Sequence, residues 1–264
     1  MSELLKVPTM AECMADGRQP EILFWVGSAG SYDDRAKKIT RAFVKILNKV
    51  KVDFAVLGTE ESNTGDVAKR AGNEFLFQMQ AVTNIEILNG YQIKRIVTAC
   101  PHSYNTLKNE YPLLGGNYKV LHHTQFIEEL MKKGRLKIER SSVLNGKRIT
   151  FHDPCYLGRG NGVYEAPRTL LKTLGVELVE MKRHRKSALC CGAGGAQMFK
   201  EPEKGSKDVN VLRTEDALET QATIIATGCP YCNTMMTDGV KAKEKENDVS
   251  VMDIAELIAK AQDL

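Results

Sequence analysis

The chain has 264 residues, 42% of them hydrophobic and 27% charged, enough to bury one large or two small cores. A net charge of +4 with no aromatic-interleaved basic stripe makes no case for nucleic acid, and no run of about 18 apolar residues exists to span a bilayer. The amino terminus carries no secretory apolar run, so a cytoplasmic location is expected, where clustered thiols serve as metal ligands or redox groups rather than as disulfides.

Residues 1–20 read as a polar lead-in in which Leu4, Leu5 and Cys13 can dock a short helix. A near-continuous apolar run closed by Gly27 predicts a strand over 21–27, buried on both faces as in a parallel sheet. Spacing at Ile39, Phe43, Ile46 and Leu47 predicts a helix over 31–51 begun by Asp33 and Asp34, where negative charge suits a helix start. A strand over 52–57, a turn at 62–66 and a long helix to about Asn89, stopped by Gly90, follow. Strands are then expected over 93–98 and 118–122. After a linker at 141–146, a second series has strands over 148–151, 176–179, 223–227 and 249–252. Its last helix opens on Asp253, with Glu256 as capping partner. The alternation predicts an α/β fold of right-handed βαβ units.

The two series repeat each other. Val26-Gly27-Ser28 lines up with Asp153-Pro154-Cys155, Ser62-Asn63 with Cys190-Cys191, and Cys100-Pro101-His102-Ser103 with Cys229-Pro230-Tyr231-Cys232. The intervals agree within one residue: 34 against 35 from the first block to the second, 37 against 38 from the second to the third. We therefore expect two pseudo-symmetric Rossmann-like halves with parallel sheets.

Five of the seven cysteines form one pattern, Cys155-x34-Cys190-Cys191-x37-Cys229-x2-Cys232. Reactive groups in an open parallel sheet collect at the carboxyl ends of strands, and Cys155 and Cys229 each stand just past one. Cys229-x2-Cys232 opens a helix, whose amino terminus favours thiolate. Five thiolates exceed the four positions of a tetrahedral zinc, and adjacent cysteines reach two irons of a cluster more readily than one ion. An iron-sulfur cluster is the leading reading. A zinc-stapled structural or interaction module without redox activity stands as the alternative, and a thiol-disulfide enzyme working through Cys229 and Cys232 alone as a third. No dinucleotide fingerprint or Walker loop is present.

These residues resemble the cysteine-rich CCG domain found in the heterodisulfide reductases and in the iron-sulfur subunits related to lactate utilisation, glycolate oxidase and anaerobic glycerol-3-phosphate dehydrogenase. The resemblance rests on Cys155, Cys190-Cys191-Gly192 and Cys229-Pro230-Tyr231-Cys232 and covers residues 21–264. It implies an iron-sulfur electron-transfer subunit of a soluble oxidoreductase complex, with one 4Fe-4S cluster, noncubane in the heterodisulfide reductases, that passes electrons and can engage a thiol or disulfide substrate. Cys155, Cys190, Cys191, Cys229 and Cys232 would be its ligands, and Gly192, Gly194 and Gly195 would shape the turn and donate N–H groups to the sulfides. The electron donor would be another subunit, one that carries flavin or ferredoxin-type clusters. At the equivalent positions the first half has Ser28, Ser62, Asn63, Cys100 and Ser103, only one thiol, so a second cluster is not expected. The implied domains are the lead-in 1–20, a degenerate CCG-type domain 21–140 and the iron-sulfur domain 141–264.

Outside the pattern, Cys13 and Cys100 read as partly buried thiols, and His122, His123 and His152 as hydrogen-bonding residues at strand ends. The run Lys182-Arg183-His184-Arg185-Lys186 is either a solvated loop or, lacking an anionic counterpart, a device that steers an acidic partner or anionic substrate toward the site.

Overall fold

The computed structural model describes residues 5–139, 143–201 and 205–264; Leu4 of the lead-in and residues 141–142 of the expected linker lie outside these. Thr9 opens helix α1 (Met10–Ala15) by accepting from the Glu12 N–H, while its own N–H donates to the Glu12 carboxylate. This reciprocal cap fixes the helix start. Met10 and Cys13 turn inward and are buried, and Leu5 packs on the core, so the lead-in docks as expected.

The first half continues through β1 (Ile22–Trp25), α2 (Gly27–Tyr32), α3 (Ala36–Lys49), β2 (Phe54–Ala55), α4 (Asp66–Arg70), α5 (Glu74–Gly90), β3 (Arg95–Thr98), α6 (Pro101–Asn105), β4 (Lys119–His122) and α7 (His123–Lys132). The second comprises β5 (Arg148–Phe151), α8 (Glu165–Thr173), β6 (Glu177–Leu178), α9 (Val209–Leu218), β7 (Ile224–Thr227), α10 (Pro230–Ala242), β8 (Ser250–Asp253) and α11 (Ile254–Ala261). Each half holds a four-stranded, all-parallel sheet. The strand orders correspond, β2-β1-β3-β4 and β6-β5-β7-β8, as two similar α/β halves require.

Two expected helices are divided. Asp33 accepts from the Ala36 N–H at 2.7 Å, so α3 begins there and residues 27–32 form a separate helix. The helix reaching Asn89 is interrupted at Gly72, whose φ of +86° no α-helix accommodates, and Asn73 restarts it by accepting from Leu76 N–H. Gly90 does not stop α5. The left-handed residue is Gln92, and the Ile93 N–H returns to the Leu88 carbonyl.

A single apolar core joins the halves, with Phe24, Phe43 and Phe126 from the first and Phe151, Leu170 and Ile258 from the second in one buried cluster. Helix α3 packs on α11 and α7 on α8, and Arg35 makes two 2.8 Å bonds to the Glu256 carboxylate across the junction. The last residues of β4 and β8 are used alike: His122 N–H donates to Gln125 Oε1 and Asp253 N–H to Glu256 Oε2. No helix among the described residues is long and apolar enough to cross a membrane.

Helix α10, which carries Cys232, is positioned by α9. Gly239 permits the approach, since a β-carbon there would lie 2.1 Å from Thr214 Oγ1 and 3.0 Å from the Asn210 carbonyl oxygen. Gly239→Ala is expected to destabilise the protein by about 1–3 kcal/mol through overpacking, read as a lower urea midpoint. An unchanged midpoint would mean that α9 shifts at no cost.

Candidate metal centre

Strands β5 and β7 are neighbours, and the chain leaving their carboxyl ends carries Cys155 and Cys229. Cys229 caps α10, its Sγ accepting from the Cys232 N–H at 3.5 Å. Cys232 Sγ lies 3.3 Å from Cys191 Sγ. Gly192, at φ +91°, turns the loop so that its N–H donates to Cys190 Sγ at 3.3 Å. Gly195 is also left-handed, whereas Gly194 is not and instead faces His102, whose Cε1 would stand 3.7 Å from an added β-carbon. Cys191, Cys229 and Cys232 are buried. Cys155 and Cys190 are half-buried and line an open cavity of about 730 Å³ with Gly192, Gly194 and Gly195.

Asp153 ties the two cysteine-bearing loops together. Its carboxylate accepts two 2.8 Å bonds from the Arg168 guanidinium and a third, also 2.8 Å, from the Arg185 N–H. Arg159 holds the Ala188 carbonyl, two residues before Cys190.

The five sulfurs share protons unevenly. Hydrogen bonds from Cys155 and Cys191 hold Cys190 far below the usual thiol range in spite of burial. Burial pushes Cys229 up, but the bond from Cys232 and the charge of His102 outweigh it and leave the group lowered. Cys155 and Cys191 rise chiefly through their bonds to Cys190, and Cys232 through its bonds to Cys191 and Cys229. Sulfurs within hydrogen-bond reach, two of them as thiolates and mostly out of water, gain little as packing and much as a soft-metal donor set.

The family model described as "Cysteine-rich domain" (CCG) matches residues 22–108 and 149–237, once in each half. The chain belongs to the CCG cysteine-rich domain family. Over 257 residues it is 49% identical to "Probable iron-sulfur-binding oxidoreductase FadF" of Bacillus subtilis, covering 97% of this chain and 36% of that protein. It is 44% identical over 254 residues to "EtfAB:quinone oxidoreductase" of Syntrophomonas wolfei, 94% of this chain and 35% of the relative. With one of the subunits of the dihydromethanophenazine:CoB–CoM heterodisulfide reductase of Methanosarcina barkeri it shares 35% identity over 248 residues, 91% of this chain and 59% of that polypeptide. The chain thus spans a little over a third of the first two relatives.

The first CCG half keeps the loops but fills them with its own side chains. Ser28, Ser62, Asn63, Cys100 and Ser103 line a void of about 20 Å³, roughly the room of one water. Asn63 Nδ2 donates to Ser28 Oγ at 3.0 Å, and the Glu61 carboxylate accepts from the Val26 and Gly27 N–H groups at 2.9 and 2.5 Å. Cys13 and Cys100 are buried rather than partly so. Burial and the charge of nearby Cys229 both push the Cys100 thiol up.

Sequence reasoning missed what this half lends to the other CCG half. His102 Nδ1 is 2.8 Å from Asp66 Oδ2, and its ring packs at 4.5 Å on Tyr156 and 5.3 Å on Tyr231, the neighbours of Cys155 and Cys232. Burial would lower His102, but the bond to Asp66 and the charge of Cys229 reverse this and raise it. The one clue was the repeat, which makes His102 the counterpart of Tyr231. His122 Nε2 sits 3.0 Å from the carbonyl of Gly228, the residue before Cys229, and His123 pairs with Asp253 at 2.9 Å, hydrogen-bonding roles as expected.

The basic run has the counterpart that its sequence lacks. Arg183 makes 2.7 and 2.8 Å bonds to Asp216, Lys182 reaches Glu219 at 3.0 Å, and Arg185 pairs with Glu165. Among the described residues, Lys186 alone of the run's four Lys and Arg side chains has no carboxylate partner. Internal pairing therefore removes the argument for steering.

Proposed function

We propose that the chain is the iron-sulfur electron-transfer module of an oxidoreductase complex, with one 4Fe-4S cluster held by Cys155, Cys190, Cys191, Cys229 and Cys232. Residues 141–264 form the cluster-binding domain in this reading, and residues 21–140 a degenerate half that supports it. The observation that carries the proposal is the gathering of five sulfurs at neighbouring strand ends, three buried and two beside an open cavity. The all-sulfur donor set fits such a group, and adjacent Cys190 and Cys191 can serve different irons. When bound, the cluster supplies a reversible one-electron acceptor. The chain's own part is to shield it: the Gly192 N–H at the Cys190 sulfur offsets negative charge, and Tyr156, Tyr231 and His102 cover one flank.

The reading requires an electron-donor subunit that carries flavin or ferredoxin-type clusters. The names of the relatives from Bacillus subtilis and Syntrophomonas wolfei, an iron-sulfur-binding oxidoreductase and an EtfAB:quinone oxidoreductase, support that requirement. Anaerobically purified protein is expected to hold about four irons and about four acid-labile sulfides per chain, with a visible absorption that bleaches on reduction. One zinc without sulfide would replace the proposal with a zinc-stapled interaction module. About eight irons would mean that the first half binds a cluster as well.

A further inference from the structure

We propose that His152, oriented by Arg213, is a hydrogen-bond donor to the sulfur ligands that raises the reduction potential of the site, and is not itself a metal ligand. This rests on the cluster reading above. His152 follows the last residue of β5 and is fully buried. One of its ring nitrogens lies within 4.8 Å of the Cys191 and Cys232 sulfurs, close enough for the trio to pass as a metal-binding set.

The other side of the ring decides between donor and ligand. Arg213 Nε donates to His152 Nδ1 at 3.0 Å. A guanidinium has only donors, so Nδ1 must be the bare nitrogen and the proton of the neutral ring stands on Nε2. A protonated Nε2 has no lone pair to give a metal, but it has an N–H to give a sulfur. That Nε2 is buried and has no hydrogen-bond partner in the protein. An orphaned donor in a buried ring is costly unless something nearby accepts from it, and the nearby acceptors are thiolates or the sulfides they would hold.

Arg213 is itself fixed. It is fully buried, its Nη1 donates to the Arg183 carbonyl at 2.6 Å, and Asp216 lies 3.2 Å away. Asp216 in turn is gripped by Arg183, so the basic run orients His152 through Arg213 rather than reaching a partner. The repeat places Trp25 at the equivalent position of the first half, where an indole Nε1 is likewise buried without a partner beside the small void. A ring N–H aimed into the site is thus common to both halves, and only the second offers it thiolates.

A donor to sulfur favours the more negative, reduced state. One electron enters or leaves, and no bond at His152 is made or broken. His152→Phe is expected to make reduction harder by about tenfold in its equilibrium constant, about 59 mV for a one-electron couple. His152→Gln, whose side-chain N–H can replace Nε2–H, should stay near wild type. Arg213→Met, which frees the tautomer, should fall between them. Potentials would be read by spectroelectrochemistry on the full chain, with iron counted in every preparation so that loss of the cluster is not mistaken for a shift. Pulsed EPR of reduced wild type labelled with ¹⁵N-histidine gives a test that needs no variant: a weakly coupled nitrogen with an exchangeable proton is expected. A nitrogen coupled as strongly as a ligand, or an iron-replete His152→Phe with unchanged potential, would overturn the proposal.

Discussion

Cys191→Ser and Cys232→Ser are each expected to yield protein that retains almost no iron and is colourless after gel filtration. Loss of a residue that merely hydrogen-bonds a ligand costs about 10–100-fold in metal affinity, and removal of a sulfur from the set itself should cost more. Cys191 and Cys232 are the strictest test because both are buried and their sulfurs are 3.3 Å apart, leaving no room for a water to replace either. Cys13→Ser should keep its iron, since Cys13 belongs to a separate apolar cluster and its sulfur accepts from Arg18. Cys100→Ser is the discriminating control. Cys100 is buried close enough to Cys229 to feel its charge, yet it is an uncharged thiol in the wrong half. Retained iron in Cys100→Ser would leave the five-sulfur set intact, whereas loss would show that the halves share one site.

The parts of this molecule legible in its sequence are those governed by local rules. Eight strands announce themselves as short apolar runs because both faces of a parallel sheet are covered, and the Asp253–Glu256 cap is a pattern of three residues. The Cys229-x2-Cys232 helix start is equally local. Helix breaks at Gly72 and before Ala36 are harder to read, because a single glycine or an aspartate cap weighs little against a long apolar spacing. What a sequence cannot display are bonds between residues far apart in the chain. His102 and Asp66 are 36 residues apart, Arg213 and His152 61, and His122 and Gly228 106. The basic run misleads for the same reason: Asp216 and Glu165 lie 33 and 20 residues from the arginines that they neutralise.

The first half has lost four of five thiols but not its use. Its Glu61 and Asn63 close the vacated loop, while His102 and Asp66 reach toward the surviving site and the shared core binds the halves together. A duplicated fold can thus keep one copy as a wall for the other, where its remaining polar residues bear on sulfur charge rather than on metal.

Arg168→Met is expected to cost about 3–5 kcal/mol of stability at neutral pH, the usual result of removing one member of a buried ion pair. The pair is Arg168 with Asp153, side chains 2% and 3% exposed, joined by two 2.8 Å bonds. Methionine keeps most of the apolar stem that lies along the Phe151 ring, so the loss reports the charge rather than the packing. Asp153 would retain only the Arg185 N–H, and the loops bearing Cys155 and Cys190 would lose their common anchor. Acidity separates this account from a simple packing defect. In wild type, burial would raise the Asp153 carboxyl, but the bonds and charge of Arg168 more than reverse it, so the group sits below its ordinary value. Its contribution is therefore present above about pH 3.9 and is lost as pH falls through the lower folded value. Without Arg168 burial dominates, the folded carboxyl rises above the unfolded one, and the variant gains stability on acidification. The gap between the two proteins, measured by urea unfolding at equal iron content, should be widest at pH 7 and narrow toward pH 4. A constant gap would assign the loss to packing, and no gap at pH 7 would show that Asp153 holds its loops without Arg168.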